Sequence, residues 1–315
     1  RCNSYGFCFY ESMAMYIAPY ANQVGGEFDG GKILEKKPLG FPQEGGGIPY
    51  ISSLFYWACA WSDEGGLIAE HPHQAFEIIS FVLDGEIEHY DNQLGDWQKL
   101  KAGDVQIIRS GSGISHAERL NAGSRMFQIW FDPYLDRAVT QPATYDDYRA
   151  EQFPVETIGG VEQTTLIGPG SPFQMQSPVE VYRRKYSGGP LEIDLEVGQV
   201  MAMYALEGDF TFQDVQTPDG QSARLGKGDT FVWQPEPSQS PDSASSSNET
   251  GADGSTDSGA TSNGAEGQAP AESSSEPTQT LRLSTEGPAE LFIVQMPVDP
   301  GYPLYTRRFQ MASAR

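Results

Sequence analysis

Apolar and polar positions alternate over short runs through most of this chain, and glycine-bearing acidic turns separate the runs. A period of two places successive side chains on opposite faces of a strand, so the pattern predicts short β-strands. From Phe76 to Ile108 the sequence FEIISFVLDGEIEHYDNQLGDWQKLKAGDVQII passes from an apolar strand into a Leu83-Asp84-Gly85 turn. An alternating strand, a polar hairpin and a Gly103-Asp104 turn lead into a further apolar strand. From Met201 to Trp233 the sequence MAMYALEGDFTFQDVQTPDGQSARLGKGDTFVW repeats that order, with turns at Leu206-Glu207-Gly208 and Gly228-Asp229. The repeat predicts an all-β protein of two small antiparallel barrels or jelly rolls in tandem. Helical periodicity is confined to a short helix expected around Tyr145–Gln152.

At 315 residues the chain exceeds one ordinary domain. The expected division is an N-terminal extension (1–30), a first barrel (31–135), a linker (136–155) and a second barrel (156–315). Within the second barrel, residues 235–279 consist almost wholly of Ser, Gly, Asp, Glu, Pro, Ala and Thr. Such a segment cannot bury enough apolar surface to offset the entropy of ordering and is expected to be a disordered insertion.

No run approaches the eighteen or so apolar residues that a membrane helix needs. The chain begins at Arg1, and Met13 or Met15 is a candidate native start. The N-terminus lacks the basic-then-apolar pattern of a signal peptide, and the sparse cysteines suggest a reducing cytoplasm. Three cysteines (Cys2, Cys8, Cys59) are too few and too unevenly placed for a disulfide framework, and Cys59 reads as a buried free thiol. The net charge of −23 repels nucleic-acid phosphate, which argues against direct nucleic-acid binding. It also suits solubility in concentrated salt.

The candidate chemistry lies in the histidines. The chain has four, His71, His73, His89 and His116, all in the first repeat. His71 and His73 are two apart, as are His116 and Glu118. Each pair therefore shares a strand face and can enter the barrel. Two such pairs on neighbouring strands bring three nitrogens and one carboxylate to a common point. That is a first shell for one divalent transition metal, with positions left open to water or substrate. His89 falls in the alternating strand GEIEHY, which suggests a place on the rim or a bond to a neighbouring carboxylate. In the second repeat the positions equivalent to His71 and His73 are Asp194 and Glu196, in LEIDLEVG. Alternation there turns Leu191, Ile193, Leu195 and Val197 inward and the acids to solvent, so one metal site is expected.

EHPHQAFEIISFVLDGEIEHYD followed by AGDVQIIRSGSGISHAE resembles the signature of the pirin family, within the cupin superfamily. The resemblance runs from about Ile48 to Pro133 and thins over Tyr134–Pro297, where only the two-barrel pattern matches. It implies two tandem cupin domains (a bicupin) with the metal on His71, His73, His116 and Glu118. Gln74-Ala75 stands where many members carry Arg-Gly, a change at the cavity mouth. The family's implied activity is a quercetin 2,3-dioxygenase type of ring opening on a flavonol or related enediol, with dioxygen and Fe(II). Cu, Mn, Ni, Co and Zn remain open alternatives. Glu118 is the candidate general base, and Phe55, Phe76 and Phe81 are candidate pocket walls. The other implied role is a non-enzymatic, redox-responsive regulator that binds a partner protein. A monomer is expected in either case.

Overall fold

The computed structural model describes residues 15–41, 44, 48, 50–214, 222–235 and 278–305. Residues 1–14, and positions 236–277 of the expected insertion, lie outside the described residues. The chain opens with β1 (Met15–Ala18), β2 (Val24–Phe28), β3 (Ile33–Leu39), β4 (Leu54–Ser62), β5 (Gly66–His73) and β6 (Glu77–Asp84). Then come β7 (Glu86–Asp91), β8 (Trp97–Lys101), β9 (Val105–Arg109), β10 (Ile114–Leu120) and β11 (Ser124–Phe131). Helix α1 (Leu135–Ala138) leads to β12 (Thr144–Tyr148). The second half holds β13 (Val155–Ile158), β14 (Val161–Ile167), β15 (Glu180–Tyr186), β16 (Gly189–Glu196) and β17 (Gln199–Glu207). It ends with β18 (Phe210–Asp214), β19 (Ser222–Leu225), β20 (Thr230–Trp233), β21 (Thr278–Thr285) and β22 (Ala289–Pro297).

Each half is a two-sheet barrel, as the repeat predicts. The first pairs a seven-stranded sheet (β12-β9-β6-β11-β4-β3-β2) with a four-stranded one (β5-β10-β7-β8). The second repeats the plan with β1-β20-β17-β22-β15-β14-β13 and β16-β21-β18-β19. The two Leu-acid-Gly turns fall where two sheets meet. Gly85 and Gly208 have φ of 69° and 78°. A Cβ on Gly85 would lie 2.9 Å from Ser124 Cα, and one on Gly208 would lie 2.6 Å from Ala289 Cβ. Only glycine combines that backbone with that approach.

Strands β4 and β6 are buried on both faces nearly throughout, and β11 is buried apart from half-buried Arg125, Gln128 and Trp130, because one face fills the first barrel and the other meets the second barrel. Trp57, Ile79, Phe81, Phe127 and Ile129 join Val181, Ala202, Tyr204, Phe292 and Val294 of the other seven-stranded sheet in one core. This shared core corrects one expected pocket wall: Phe81 packs edge-on against Phe292, with centroids 5.0 Å apart, and faces the second barrel. In β16, Ile193 and Leu195 are buried while Glu192, Asp194 and Glu196 are exposed, as the alternation predicts.

Two expected boundaries are also corrected. Residues 15–30 are not an appendage. β1 pairs with β20 of the second barrel and β2 with β3 of the first, so the chain start joins both sheets. Gln23 Nε2 donates to the Gly228 carbonyl at 2.8 Å and helps fix that crossing. The segment 136–155 is not a free linker, and no α-helix covers Tyr145–Gln152. Thr144–Tyr148 forms β12 on the edge of the first barrel's larger sheet, with only a 3-10 turn at Ala150–Gln152. An available sheet edge decides the matter: Tyr145 faces Ile108, and its ring enters the barrel core.

Candidate metal centre

Strand β5 lies at the edge of the four-stranded sheet, which is why it tolerates Pro72 between two histidines. His71 and His73 project from it toward the barrel interior. Strand β10 runs beside it in antiparallel register, with His116 opposite His71 and Ile114 opposite His73. The register shifts between His116 and Glu118, so that Glu118 faces Ile68. A bulge of this kind re-aims side chains locally.

The three imidazoles converge. One nitrogen from each of His71, His73 and His116 lies within 4.8 Å of the others. The rings stand 4.5–4.9 Å apart by centroid, and His116 is fully buried. His73 Nε2 and His116 Nδ1 are buried without a hydrogen-bond partner among the described residues. Burial, followed by the neighbouring His116 and His71 rings, pushes the His73 pKa down to about 3. Burial and then His71 and His89 hold His116 well below its ordinary value. Both rings are therefore neutral at pH 7, the protonation state that binds a metal ion. Neutral imidazole nitrogens gathered at one point, His73 Nε2 buried there without a partner and His116 Nε2 lying 3.1 Å from His71 Nε2, fit a divalent transition metal.

Glu118 reaches the same interior but is not among the groups within that 4.8 Å cluster. Its carboxylate, 1% exposed, is anchored across the barrel on the larger sheet. Oε1 accepts from Ser80 Oγ at 3.0 Å and Gln106 Nε2 at 3.3 Å, and Oε2 accepts from Gln128 Nε2 at 2.6 Å. A carboxylate offers about four acceptor positions, so one on Oε2 is left. Sequence reasoning missed these three anchors. Their signal was present, since Ser80, Gln106 and Gln128 are the polar interruptions of the apolar strands EIISFVLD, VQIIR and SRMFQIWF.

His89 is not on the rim. It is fully buried, its Nε2 lies 3.0 Å from Asp91 Oδ2, and its ring stacks on Tyr145 with centroids 4.3 Å apart. In the β7–β10 register it stands opposite Glu118, and Asp91 stands opposite His116.

Aromatic rings wall the site. Trp130 lies edge-on to His73 at 4.8 Å and donates from Nε1 to Gln128 Oε1 at 3.1 Å. Phe76 stacks on Phe55 at 4.6 Å, and Tyr305 packs edge-on against both. Phe55 and Phe76 thus share a cluster with Trp130, the ring that touches His73, while Phe81 faces the second barrel. Between His73 and Phe76, Ala75 sits at φ 75°, a left-handed backbone that costs a non-glycine residue about 1–2 kcal/mol. The chain holds that strain beside the site, with Ala75 N–H bonded to the Gly111 carbonyl at 3.0 Å.

Comparison with known proteins places likeness in one family and one fold. Residues 58–131 match the family model described as Pirin, the family whose motifs the sequence resembles. A Pseudomonas aeruginosa protein provisionally named a quercetin 2,3-dioxygenase is 43% identical over 153 residues, covering 47% of this chain and 60% of that relative. The matched segment therefore spans about three fifths of the relative's length. Among solved structures, an Escherichia coli pirin in complex with nickel(II) superposes with a TM-score of 0.62 at 16% identity, covering 90% of this chain and 99% of that one. A quercetin 2,3-dioxygenase from Acinetobacter baumannii gives a TM-score of 0.64 at 16% identity, covering 93% and 80%. At that identity the two structures establish the bicupin fold alone.

Proposed function

We propose that this pirin-like bicupin binds one divalent transition metal in its first barrel and acts as a metal-dependent dioxygenase on quercetin or a related flavonol or enediol. The observation that carries the reading is the convergence of His71, His73 and His116 on one point beside an aromatic wall. Those three nitrogens would hold the ion, and the remaining acceptor position on Glu118 Oε2 supplies the fourth donor. The expected metal is Fe(II).

When bound, the ion supplies a Lewis-acidic centre that lowers the pKa of a coordinated hydroxyl and holds substrate beside dioxygen. The rest falls to the protein's own side chains. Once loosened from the ion, Glu118 would accept the substrate's hydroxyl proton on that same Oε2 position as general base, while Ser80, Gln106 and Gln128 hold its carboxylate in place. Gln128 also ties Glu118 to Trp130, so the base and the wall move together. Phe55, Phe76 and Trp130 present flat apolar faces that orient a planar ring and keep water from the reacting atoms.

Aerobic incubation of the iron-loaded protein with quercetin, followed through loss of the flavonol absorbance, tests this. Turnover is expected in the parent and is abolished in His71→Ala and Glu118→Ala. Stoichiometric metal binding with no turnover for any first-row metal contradicts the enzyme and favours a metal-bearing regulatory protein.

A further inference from the structure

A second group of buried polar side chains lies one ring away from the histidines. Glu35 and Lys37 stand two apart on β3, so both turn to the same face. They and Tyr56 of the neighbouring β4 are each no more than 6% exposed. Tyr56 OH donates to Glu35 Oε2 at 3.1 Å, and Lys37 Nζ lies 3.2 Å from Glu35 Oε1 and also donates to Glu44. Taking an ion pair out of water is costly, and well-packed apolar side chains would serve the fold as well or better. None of the three groups takes part in the chemistry proposed above.

Tyr56 is joined to the histidines through a single ring. Trp130 is its register partner on β11, with ring centroids 5.0 Å apart, and the same indole packs edge-on to His73 at 4.8 Å. The order His73, Trp130, Tyr56, Glu35 is therefore an unbroken series of neighbours. Of the aromatic side chains, tryptophan and tyrosine lose one electron most readily. A tyrosine does so only where its phenolic proton has somewhere to go, because the oxidised phenol is a strong acid. Burial and then Glu35 hold the Tyr56 phenol well above its ordinary pKa, so its proton stays on oxygen until the ring is oxidised. Glu35 Oε2 is then an acceptor already in place.

We infer that Trp130 and Tyr56 form an electron-donor relay that protects the first-barrel site from peroxide. The oxidant is hydrogen peroxide, arriving at Fe(II) held by the three histidines when no organic substrate is present. Its reduction to two water molecules takes two electrons and two protons. The protons come from solvent, one electron comes from Fe(II), which becomes Fe(III), and the other comes from Trp130. Tyr56 refills Trp130 and passes its phenolic proton to Glu35, leaving a neutral tyrosyl radical beside a protonated carboxyl. One electron from a small enediol, which becomes its own radical, and the proton returned by Glu35 restore the pair. The oxidising equivalent is thereby carried off the imidazoles that bind the ion. The inference rests on the metal reading above and extends it to residues outside the ligand set.

Uptake of Fe(II) by the full chain is measured first, by equilibrium dialysis. Hydrogen peroxide is then added without dioxygen, and the frozen sample is read by electron paramagnetic resonance. The parent is also prepared with ring-deuterated tyrosine, which needs no substitution. The expected signal is an organic radical that narrows on deuteration and is missing from the Zn(II)-loaded protein. Tyr56→Phe is expected to take up iron as the parent does and to lose the tyrosyl signal, as does Trp130→Phe. Glu35→Gln, which keeps an acceptor for the hydrogen bond but cannot take the proton, should lose most of it. In all three variants, peptide mass spectrometry should find more oxidised histidine at His71, His73 and His116 than in the parent. An iron-loaded parent with no radical, a radical that deuteration does not narrow, a signal unchanged in Tyr56→Phe, or equal histidine oxidation throughout overturns the relay and leaves the metal site standing. A chain that takes up no iron, or whose uptake is unchanged in His116→Ala, contradicts the metal reading and the relay with it.

Discussion

Replacing His116 with alanine is expected to weaken divalent-metal binding by roughly 10²–10³-fold. Four-ligand sites bind their ion with about 10–16 kcal/mol, so one donor of four contributes roughly 2.5–4 kcal/mol. His116 should fall at the upper end. It is the fully buried member of the trio, and its ring neighbours both His71 and His73. The same substitution leaves the two seven-stranded sheets untouched, since His116 lies on β10 of the smaller sheet. Competition against a chromogenic chelator measures the affinity, and thermal unfolding of the metal-free protein controls for the fold. An affinity within threefold of the parent would mean that His116 does not hold the ion.

The second large effect is structural. Phe127→Ala is expected to destabilise the protein by about 3–5 kcal/mol, the usual cost of removing a fully buried phenyl ring. Phe127 has no exposed surface and packs against Trp57, Tyr204 and Phe292 at centroid separations of 5.4, 4.8 and 4.9 Å. Two of those partners belong to the second barrel, so the cavity would open between the barrels and weaken both. Urea unfolding followed by tryptophan fluorescence and by circular dichroism should show both signals shifted together. A loss under 1 kcal/mol, or a shift in one signal only, would mean that the barrels do not share a core.

Much of this was legible in the sequence where a local rule operates. The Leu83-Asp84-Gly85 and Leu206-Glu207-Gly208 turns mark corners whose backbone only glycine fits, so the repeat announced two barrels. His71 and His116 meet because period two puts each on an inner face, and the β5–β10 register then sets them opposite one another. What stayed hidden depends on the partner surface. Strands β4 and β6 are largely apolar on both faces, so no pattern told Phe81, which meets the second barrel, from Phe76, which packs beside Trp130. The edge strand Thr144–Tyr148 has helix-compatible spacing and became a strand because β9 offered it an edge. His89 followed the same logic: alternation suggested the rim, but the Tyr145 ring, arriving from that strand, stacks on it and helps bury it. The polar anchors Ser80, Gln106 and Gln128 were visible as interruptions, though nothing local said that all three point to Glu118.

The central claim is one metal ion in the first barrel. Anomalous scattering from crystals of the metal-loaded protein, recorded on either side of the absorption edge of the added metal, tests it most directly. The account predicts a single peak per chain, bound by His71, His73 and His116 with Glu118 completing the set, and none in the second barrel. A peak among Glu180, Asp194 and Glu196 of the second barrel, or no peak between the three histidines, would contradict it.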